Sequence, residues 1–321
     1  AALVQAFTPD AVVAIGGGST LDCAKAMLYF SGVDATLIAV PTTSGSGSEV
    51  TDFAILTHDG VKHPLVDEKL LPKAAILDGD LLTALPRSLI ADGGFDAISH
   101  ALEALVATNG GAITDALATD SFCGVYNHLG QSFAGNTGVR QTIHNASCMA
   151  GLAFNSAGLG VCHGIAHGIV SKLHLPHGRA NAIVLPYVLQ FNADLDHGRS
   201  GGYCVAAKKY QRLAKILDLP CSSVTVGISQ FLKTVEKLNK LVSDCGGYYE
   251  QSDVDMGSYY SDGYRYGRYT VRVPKDKYDT FLNSVGEVCH VTSRNESAED
   301  VGLQYYDIES RIRLLEIKQE R

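Results

Sequence analysis

Two short apolar segments that each run into a glycine-rich turn constrain the fold of this chain more than any other feature. AVVAIGGGS, starting at Ala11, is typical of a buried strand that ends in a turn, and helical spacing follows it. ATLIAVPTTSGSGSEVT, starting at Ala35, is a second apolar strand with a polar loop after it. Strands that are apolar throughout are typical of parallel sheets covered by helices. The sequence therefore predicts an α/β fold here, with a further short strand in AAILDGDLL.

The pattern changes twice along the rest of the chain. The character of the sequence changes from Pro86 onward, and segments with helical periodicity, the first of them LIADGGFDAISHALEALVATNG, continue to about residue 240. The block over 241–321 differs: it is rich in Tyr, Gly and Ser near its start, alternates like a strand in TVRVP, and ends in a charged segment with helical spacing. We therefore predict an α/β region over 1–85, a helical region over 86–240 and an α+β module over 241–321.

Charge and composition argue against several classes of partner. The formal net charge is -8 and no basic tract is present, so we expect no nucleic-acid partner. No apolar run approaches the roughly 20 residues needed to span a bilayer, and the first residues lack the features of a signal peptide. We therefore expect no membrane span and a cytoplasmic location. The 8 cysteines are scattered without a CxxC pair, which favours reduced thiols over a disulfide framework.

Both glycine-rich turns are candidate sites for an anionic ligand. Gly16–Ser19 precedes a predicted helix, whose first N–H groups can face a pyrophosphate. Its spacing is not GxGxxG, and a plain tight turn is an equal alternative. Pro41–Glu49 offers hydroxyls and amides at the carboxyl end of a strand, although a flexible surface loop is the simpler interpretation. Two such loops after neighbouring strands favour a shared nucleotide site. One turn after the first loop, Asp22 can be simply a charge at the start of a helix, and Lys25 a solvated side chain.

The strongest chemical signal is a set of histidines in the apolar helical region. Asp96 and His100 are four residues apart and share one helix face, as do His163 and His167, and His177 follows downstream. Such polar groups are costly in an apolar region unless they share a ligand. One carboxylate with three imidazoles suits Fe²⁺ or Zn²⁺.

Other histidines compete weakly with this set. His174 lies three residues before His177 and is a rival ligand, with a surface position as its simpler interpretation. The remaining candidates lack partners at helical spacing and are left out: His128, His144 and His197.

Five long motifs occur in the order found in a known family. They are GGGSTLDCAK, PTTSGSGSEVT, GFDAISHALEA, HNASCMAGLAF and GLGVCHGIAHGIVSKLHLPHGRANAI. Over about residues 1–240 the chain resembles the iron-containing (group III) alcohol dehydrogenases. Within that family it most resembles the 1-propanol and ethanolamine-utilisation alcohol dehydrogenases of bacterial microcompartments, which makes a microcompartment a second expected location.

The resemblance implies a fold and a set of site residues. The fold is an incomplete Rossmann-like parallel-sheet dinucleotide domain over 1–85, followed by an all-helical iron-binding catalytic domain over 86–240. The metal ligands implied are Asp96, His100, His163 and His177. His167 is left unligated near the nicotinamide, as a candidate catalytic proton relay. The cofactor-binding residues implied are Gly17, Gly18, Ser19, Asp22, Thr42, Thr43, Ser46 and Lys62. By spacing alone, Lys62 would be a solvated loop residue.

The activity implied is reversible hydride transfer between a small primary alcohol of the ethanol or 1-propanol class, or its aldehyde, and NAD or NADP. The metal is Fe²⁺, with Zn²⁺ as the alternative, and we expect a homo-oligomer. Two other functions stay open at this point. One is a zinc-type glycerol dehydrogenase-like enzyme, and the other is a truncated, inactive enzyme fused to an envelope-associated interaction module.

The chain departs from the family pattern at both ends. Family members begin upstream with further β-α units, and the carboxylate that reads the adenosine ribose lies among them, so the resemblance does not decide between NAD and NADP. Residues 241–321 instead resemble an uncharacterised bacterial envelope-associated domain of unknown function. We therefore expect a natural fusion or a chimeric sequence.

Overall fold

The computed structural model describes residues 1–58, 61–173, 175–194 and 204–244, with two short strands at 253–255 and 266–268. The chain divides into two compact units, Ala1–Gly247 and Tyr248–Arg321. In the second unit, the two short strands pair antiparallel, with Asp253 opposite Arg268. The strand predicted in TVRVP and the helix predicted at the end of the chain lie outside the described residues. The boundaries predicted near 85 and 240 stay predictions.

The first part of the larger unit is built on a parallel sheet. Its elements are α1 (Ala2–Phe7), β1 (Ala11–Gly16), α2 (Gly18–Ser31), β2 (Thr36–Pro41), β3 (Phe53–His58), β4 (Val61–Val66) and β5 (Ala74–Ala75). Strands β1, β2 and β5 form a parallel sheet in that order, with Ala11 opposite Thr36. A parallel pair needs a crossover connection, which α2 supplies between β1 and β2. The predicted α/β fold is confirmed in this part of the chain.

Strand β1 is less buried than its apolar sequence predicts. Ala14 packs into a core with Leu21, Leu37 and neighbouring residues of α2 and β2. On the opposite face Val13 and Ile15 are 55% and 60% exposed, because no described element covers them. The expectation of a strand covered on both faces is therefore wrong for β1, while β2 is largely buried.

Two further details differ from the sequence-based expectation. Strands β3 and β4 form an antiparallel hairpin that contacts α2 and α6 (Val161–Leu173), and no alternation in the sequence predicted it. The strand predicted in AAILDGDLL is limited to β5, and a single 3₁₀ turn, Gly79–Leu82, follows it. The short strand leaves room for this turn before the helical region begins.

The rest of the larger unit is helical, as predicted. Its helices are α3 (Arg87–Val106), α4 (Ala112–Phe133), α5 (Arg140–Ala157), α6, α7 (His177–Ala193), α8 (Val205–Ile216) and α9 (Val224–Asp244). Helix α3 is central: it is buried over most of its length and contacts α4, α5 and α7. Functional groups on α3 are therefore held by packing on several sides.

Two findings bear on the predictions from composition. Six cysteines of the described residues are free thiols. Among the described residues no single helix is long and apolar enough to cross a membrane. The segments Thr137–Ala157 and Val161–Val170 meet the criteria of length and composition only as a bent pair.

Candidate active site

The two glycine-rich turns lie against each other at the carboxyl ends of β1 and β2. Helix α2 has Gly17 as its N-cap and begins at Gly18. A Cβ atom on Gly18 would lie 2.8 Å from Ser46 Oγ, and one on Gly17 would lie 3.3 Å from Thr43 Oγ1. A side chain at Gly18 would collide with the hydroxyl-bearing loop, and one at Gly17 would crowd it, so glycine lets the loop approach the start of α2 closely.

Two other residues that were predicted to bind the cofactor, Thr42 and Ser19, lie in the same region. The backbone N–H of Thr42 donates to Gly16 O at 2.9 Å, so the second loop continues directly from the paired strands. Ser19 lies in the first turn of α2 and is exposed. The N-terminus of a helix carries unpaired N–H groups and a partial positive charge, so this arrangement can receive a phosphate.

Asp22 connects α2 to the loop after β2 and to β3 through hydrogen bonds. One carboxylate oxygen accepts a hydrogen bond from Ser48 Oγ at 2.6 Å, and the other accepts from the backbone N–H of Ile55 at 3.0 Å. Both oxygens are thus engaged with the loop after β2 and with β3. Lys62 lies in β4 opposite Thr57, in a strand and not in the loop that spacing alone indicated.

Lys25 is buried, so its interpretation as a solvated side chain is wrong. Its Nζ donates to Thr51 O at 2.8 Å, to Thr51 Oγ1 at 3.1 Å and to Phe53 O at 2.9 Å. Burial lowers the pKa of Lys25 to about 8, against the opposing effect of carboxylates led by Asp22. The ammonium ties the start of β3 to α2 and so supports the polar loop.

Three of the predicted metal ligands converge from three helices. Asp96 lies on α3, His163 on α6, and His177 is the first residue of α7. Asp96 Oδ1 is 3.7 Å from His163 Nε2 and 3.6 Å from His177 Nε2. The three ligand atoms lie within 4.8 Å of one another. One carboxylate and two imidazoles at this spacing suit a divalent transition metal.

His100 lies beside this group and links it to the polar loop. Its ring stacks on His163 at 4.4 Å between centroids and on Phe154 at 4.3 Å. Nδ1 is 3.0 Å from Gly45 O, and because a carbonyl only accepts, Nδ1 carries the proton and the neutral ring keeps its lone pair on Nε2. His100 is not in the three-residue group itself, whose members meet the distance criterion together.

His167 also lies next to the group. Its ring centroid is 4.9 Å from that of His177 and 6.4 Å from that of His163, and the residue is half-buried. The rival His174 lies outside the described residues.

Burial and mutual contact shift the charge states of the group strongly. Burial raises the pKa of the Asp96 carboxyl, but the imidazoles of His100, His177 and His163 outweigh it and hold that pKa well below its usual range. Burial lowers the pKa of His163, but Asp96 and Glu103 outweigh it and raise that pKa to about 9. Burial lowers the pKa of His100 to about 3.

The sequence-based prediction missed two residues of this group. Asn181 Nδ2 donates to Asp96 Oδ1 at 2.9 Å and lies 3.1 Å from His163 Nε2. Glu103 Oε2 lies 2.5 Å from His163 Nδ1. Helical spacing was the available signal, because Glu103 is two turns after Asp96 and Asn181 is one turn after His177.

Close contacts at glycines join the polar loop to α3 and α5. A Cβ atom on Gly45 would lie 2.9 Å from the Cα of Gly93 on α3. Gly47, with φ of 65°, approaches Gly151 on α5, where an added Cβ would meet Gly151 Cα at 2.7 Å. The candidate nucleotide loop is thereby packed against α3, the helix that carries Asp96, and against α5.

Comparison with known families assigns most of the chain. Residues 1–79 match the profile described as iron-containing alcohol dehydrogenase, and residues 90–251 match the profile of the Fe-containing alcohol dehydrogenase family, C-terminal. Residues 221–321 match a domain of unknown function, DUF4349. The last two matches overlap, so α9 falls within both.

Curated relatives and solved structures agree with these profiles. The 1-propanol dehydrogenase PduQ of Citrobacter freundii is 40% identical over 249 residues, 74% of this chain and 65% of the relative. The NADPH-dependent butanol dehydrogenase of Clostridium saccharobutylicum is 35% identical, over 75% of this chain and 65% of the relative. The iron-containing alcohol dehydrogenase from Thermococcus thioreducens superposes with a TM-score of 0.68 at 32% identity, over 75% of this chain and 66% of that chain.

A second solved structure carries a nucleotide. Sulfoacetaldehyde reductase from Bifidobacterium kashiwanohense in complex with NAD⁺ superposes with a TM-score of 0.66 at 26% identity, over 75% of this chain and 65% of that chain. The chain thus spans less than two thirds of the length of this reductase and of the two curated relatives. Because the two alcohol dehydrogenase profiles cover residues 1–79 and 90–251, the chain belongs to the iron-containing alcohol dehydrogenase family.

Proposed function

We propose that this chain is a metal-dependent alcohol dehydrogenase that transfers hydride reversibly between a small primary alcohol, or its aldehyde, and NAD or NADP. One observation carries the proposal: the group of Asp96, His163 and His177 lies next to the polar loop, because His100 stacks on His163 and bonds to Gly45. A metal site and a nucleotide site in contact are the arrangement that metal-assisted hydride transfer requires.

For the nucleotide, we propose that the start of α2 and the loop after β2 bind it together. Gly17, Gly18 and Ser19 would present backbone N–H groups to the pyrophosphate. Hydroxyls of Thr42, Thr43 and Ser46 would add contacts from the facing loop. Asp22 would act by holding that loop, and Lys62 would reach the nucleotide from the hairpin. An NAD⁺ complex and an NADPH-dependent enzyme among the relatives support both cofactors as candidates.

For the metal, we propose Asp96, His100, His163 and His177 as ligands of Fe²⁺, with Zn²⁺ as the alternative. The donor set fits, because carboxylate and imidazole ligands suit both ions. When bound, the ion would act as a Lewis acid that favours loss of the proton from the alcohol hydroxyl. His167, half-buried beside His177, would accept that proton and release it to solvent, since imidazole titrates near neutral pH.

The substrate proposed is an alcohol of the ethanol or 1-propanol class. Propanol and butanol dehydrogenases among the matched relatives favour it over the polyol of a zinc-type glycerol dehydrogenase. We also propose a homo-oligomer in the cytoplasm or in a microcompartment. Analytical ultracentrifugation of the purified chain and fractionation of the source cells test these two statements.

The activity is tested with protein loaded anaerobically with Fe²⁺. We expect NAD(P)H to form from ethanol or 1-propanol, and we expect a His177→Ala variant to be inactive under the same conditions. A chain that binds both Fe²⁺ and nucleotide but produces no NAD(P)H from small primary alcohols contradicts the proposal. Full zinc occupancy with turnover of a polyol alone would favour the glycerol dehydrogenase alternative.

A further inference from the structure

Glu103 is a buried carboxylate that joins a candidate ligand to the start of a helix. It lies on α3, two turns after Asp96, and is 3% exposed. Oε2 is 2.5 Å from His163 Nδ1, and Oε1 accepts a hydrogen bond from the backbone N–H of Cys162 at 2.7 Å. Each oxygen of the carboxylate therefore has its own donor in the first turn of α6.

The contact fixes the position of the proton on His163. A carboxylate oxygen accepts hydrogen bonds, so the ring nitrogen facing Glu103 must carry the proton. When a metal displaces the other ring proton, the lone pair is then on Nε2, which is 3.7 Å from Asp96 Oδ1 on the side of the ligand group. The other tautomer would point an N–H group towards Asp96 and His177 and leave no lone pair for a metal.

The surrounding backbone is shaped around this carboxylate. A Cβ atom on Gly160 would lie 2.7 Å from Glu103 Oε1, so a side chain there would displace the carboxylate. The backbone N–H of His163 also donates to Glu103 Oε2, at 3.4 Å. The carboxylate is thus held in one place from several directions.

We propose that Glu103 is a positioning residue that makes His163 an Nε2 ligand of the metal, an inference that rests on the metal site of the proposed function. It acts through His163 and not on the substrate. Partners of this kind fix the tautomer and orientation of metal-bound histidines, and their loss typically costs roughly 10–100-fold in metal affinity. A structural role limited to the start of α6 is the competing explanation.

The variant Glu103→Gln separates the two explanations. Glutamine keeps the shape but has one acceptor oxygen, and when that oxygen stays with the Cys162 N–H its amide group donates to His163 Nδ1. We expect Zn²⁺ affinity, measured by competition with a chromophoric chelator, to fall about 10–100-fold. Asp115→Asn is the matched control: Asp115 pairs with Lys209 at 2.7 Å between α4 and α8, and we expect its loss to leave Zn²⁺ affinity unchanged.

A lower melting temperature of Glu103→Gln with unchanged Zn²⁺ affinity would overturn the proposal in favour of the structural role. A second measurement does not depend on the variant's folding. In wild-type protein labelled with ¹⁵N-histidine, we expect the His163 Nδ1 signal to stay protonated while Nε2 shifts on Zn²⁺ addition. The His163→Gln variant assigns the signals, and loss of the Nδ1 proton on Zn²⁺ addition overturns the proposal.

Failure of this inference and failure of the proposed function give different results. If wild-type protein and Glu103→Gln bind Zn²⁺ equally tightly, the role of Glu103 is refuted and the proposed function is unaffected. A wild-type chain that binds no metal refutes the proposed function. In that case the spectrum of the metal-free protein still tests the contact between Glu103 and His163. A protonated His163 Nδ1 whose signal changes in Glu103→Gln supports this contact, and an unprotonated Nδ1 refutes it.

Discussion

At the scale of single residues, Lys25 gives a prediction about pH. Its folded-state pKa of about 8 lies below the ordinary value of 10.5, so below about pH 8 the buried charge opposes folding in full. Between these two values the unfolded state binds more protons, so the free energy of unfolding rises with pH. From about pH 8 to pH 10.5, the free energy of unfolding of wild-type protein should rise by on the order of 3 kcal/mol relative to that of Lys25→Met, measured by urea denaturation. A difference that stays flat with pH contradicts the buried charge.

Residue spacing predicted the histidine group but not everything around it. The four-residue spacings of Asp96 with His100 and of His163 with His167 place side chains on one helix face, and the structure has them near one another. Asn181 was missed because its one signal was a position one turn after His177, and a single amide at that spacing does not by itself indicate a site. The burial of Lys25 was missed because its partners, chiefly backbone carbonyls, do not appear in any side-chain pattern.

At the scale of elements, a buried ion pair joins the two helices that carry Asp96 and His177. Arg179 on α7 donates from Nε and Nη2 to the Asp92 carboxylate on α3 at 3.1 Å and 3.2 Å. Asp92→Ala leaves a buried guanidinium unpaired, so we expect a loss of about 3–5 kcal/mol in unfolding free energy. Removing both partners should cost less than the sum of the single losses. Additive losses in a double-mutant cycle would refute the coupling.

The contact between the polar loop and α5 gives a second prediction. A Cβ atom on Gly151 would lie 2.7 Å from Val50 Cγ2 and 3.0 Å from the Cα of Gly47. Gly151→Ala should push the loop away and weaken NAD(H) binding severalfold in a calorimetric titration, while Zn²⁺ affinity changes little. Gly130→Ala on α4 is the control, because nothing lies within 4 Å of its added Cβ. Unchanged nucleotide affinity in Gly151→Ala would show that this contact does not position the loop.

Elements with strong periodicity were predictable, and those defined by long-range pairing were not. Helix α3 has a sustained apolar repeat, which the sequence shows from Leu89 onward, and the observed helix begins at Arg87. The β3–β4 hairpin lacks clean alternation, because Lys62 and Pro64 interrupt the apolar residues of its second strand. The exposure of Val13 and Ile15 depends on which elements cover β1, which a local pattern cannot reveal.

At the scale of the whole molecule, the nucleotide site is tested by direct binding. The chain covers 65% of the length of PduQ from Citrobacter freundii, yet it contains both predicted nucleotide-binding turns. We therefore expect the 321-residue chain to bind NAD(H) or NADP(H) with micromolar affinity in a calorimetric titration. The absence of saturable binding by either nucleotide would favour the inactive-enzyme alternative.

The C-terminal match adds a second family to the same chain. The profile of the domain of unknown function starts at 221, ahead of the boundary predicted at 241, and overlaps the alcohol dehydrogenase profile up to 251. The change in composition near Cys245 marked a new module, but an amphipathic helix such as α9 fits either family. Because the two profiles overlap over 221–251, the boundary at 241 stays a prediction.

The proposed function depends most on the metal group, and the amount of bound metal reports on that group. Wild-type protein, His177→Ala and His174→Ala would be loaded with Fe²⁺ anaerobically, desalted and assayed for bound metal. We predict stoichiometric metal in wild-type protein and in His174→Ala, and a heavy loss in His177→Ala, with nucleotide binding retained in all three. Full metal in His177→Ala, or loss of metal in His174→Ala alone, would contradict the ligand assignment.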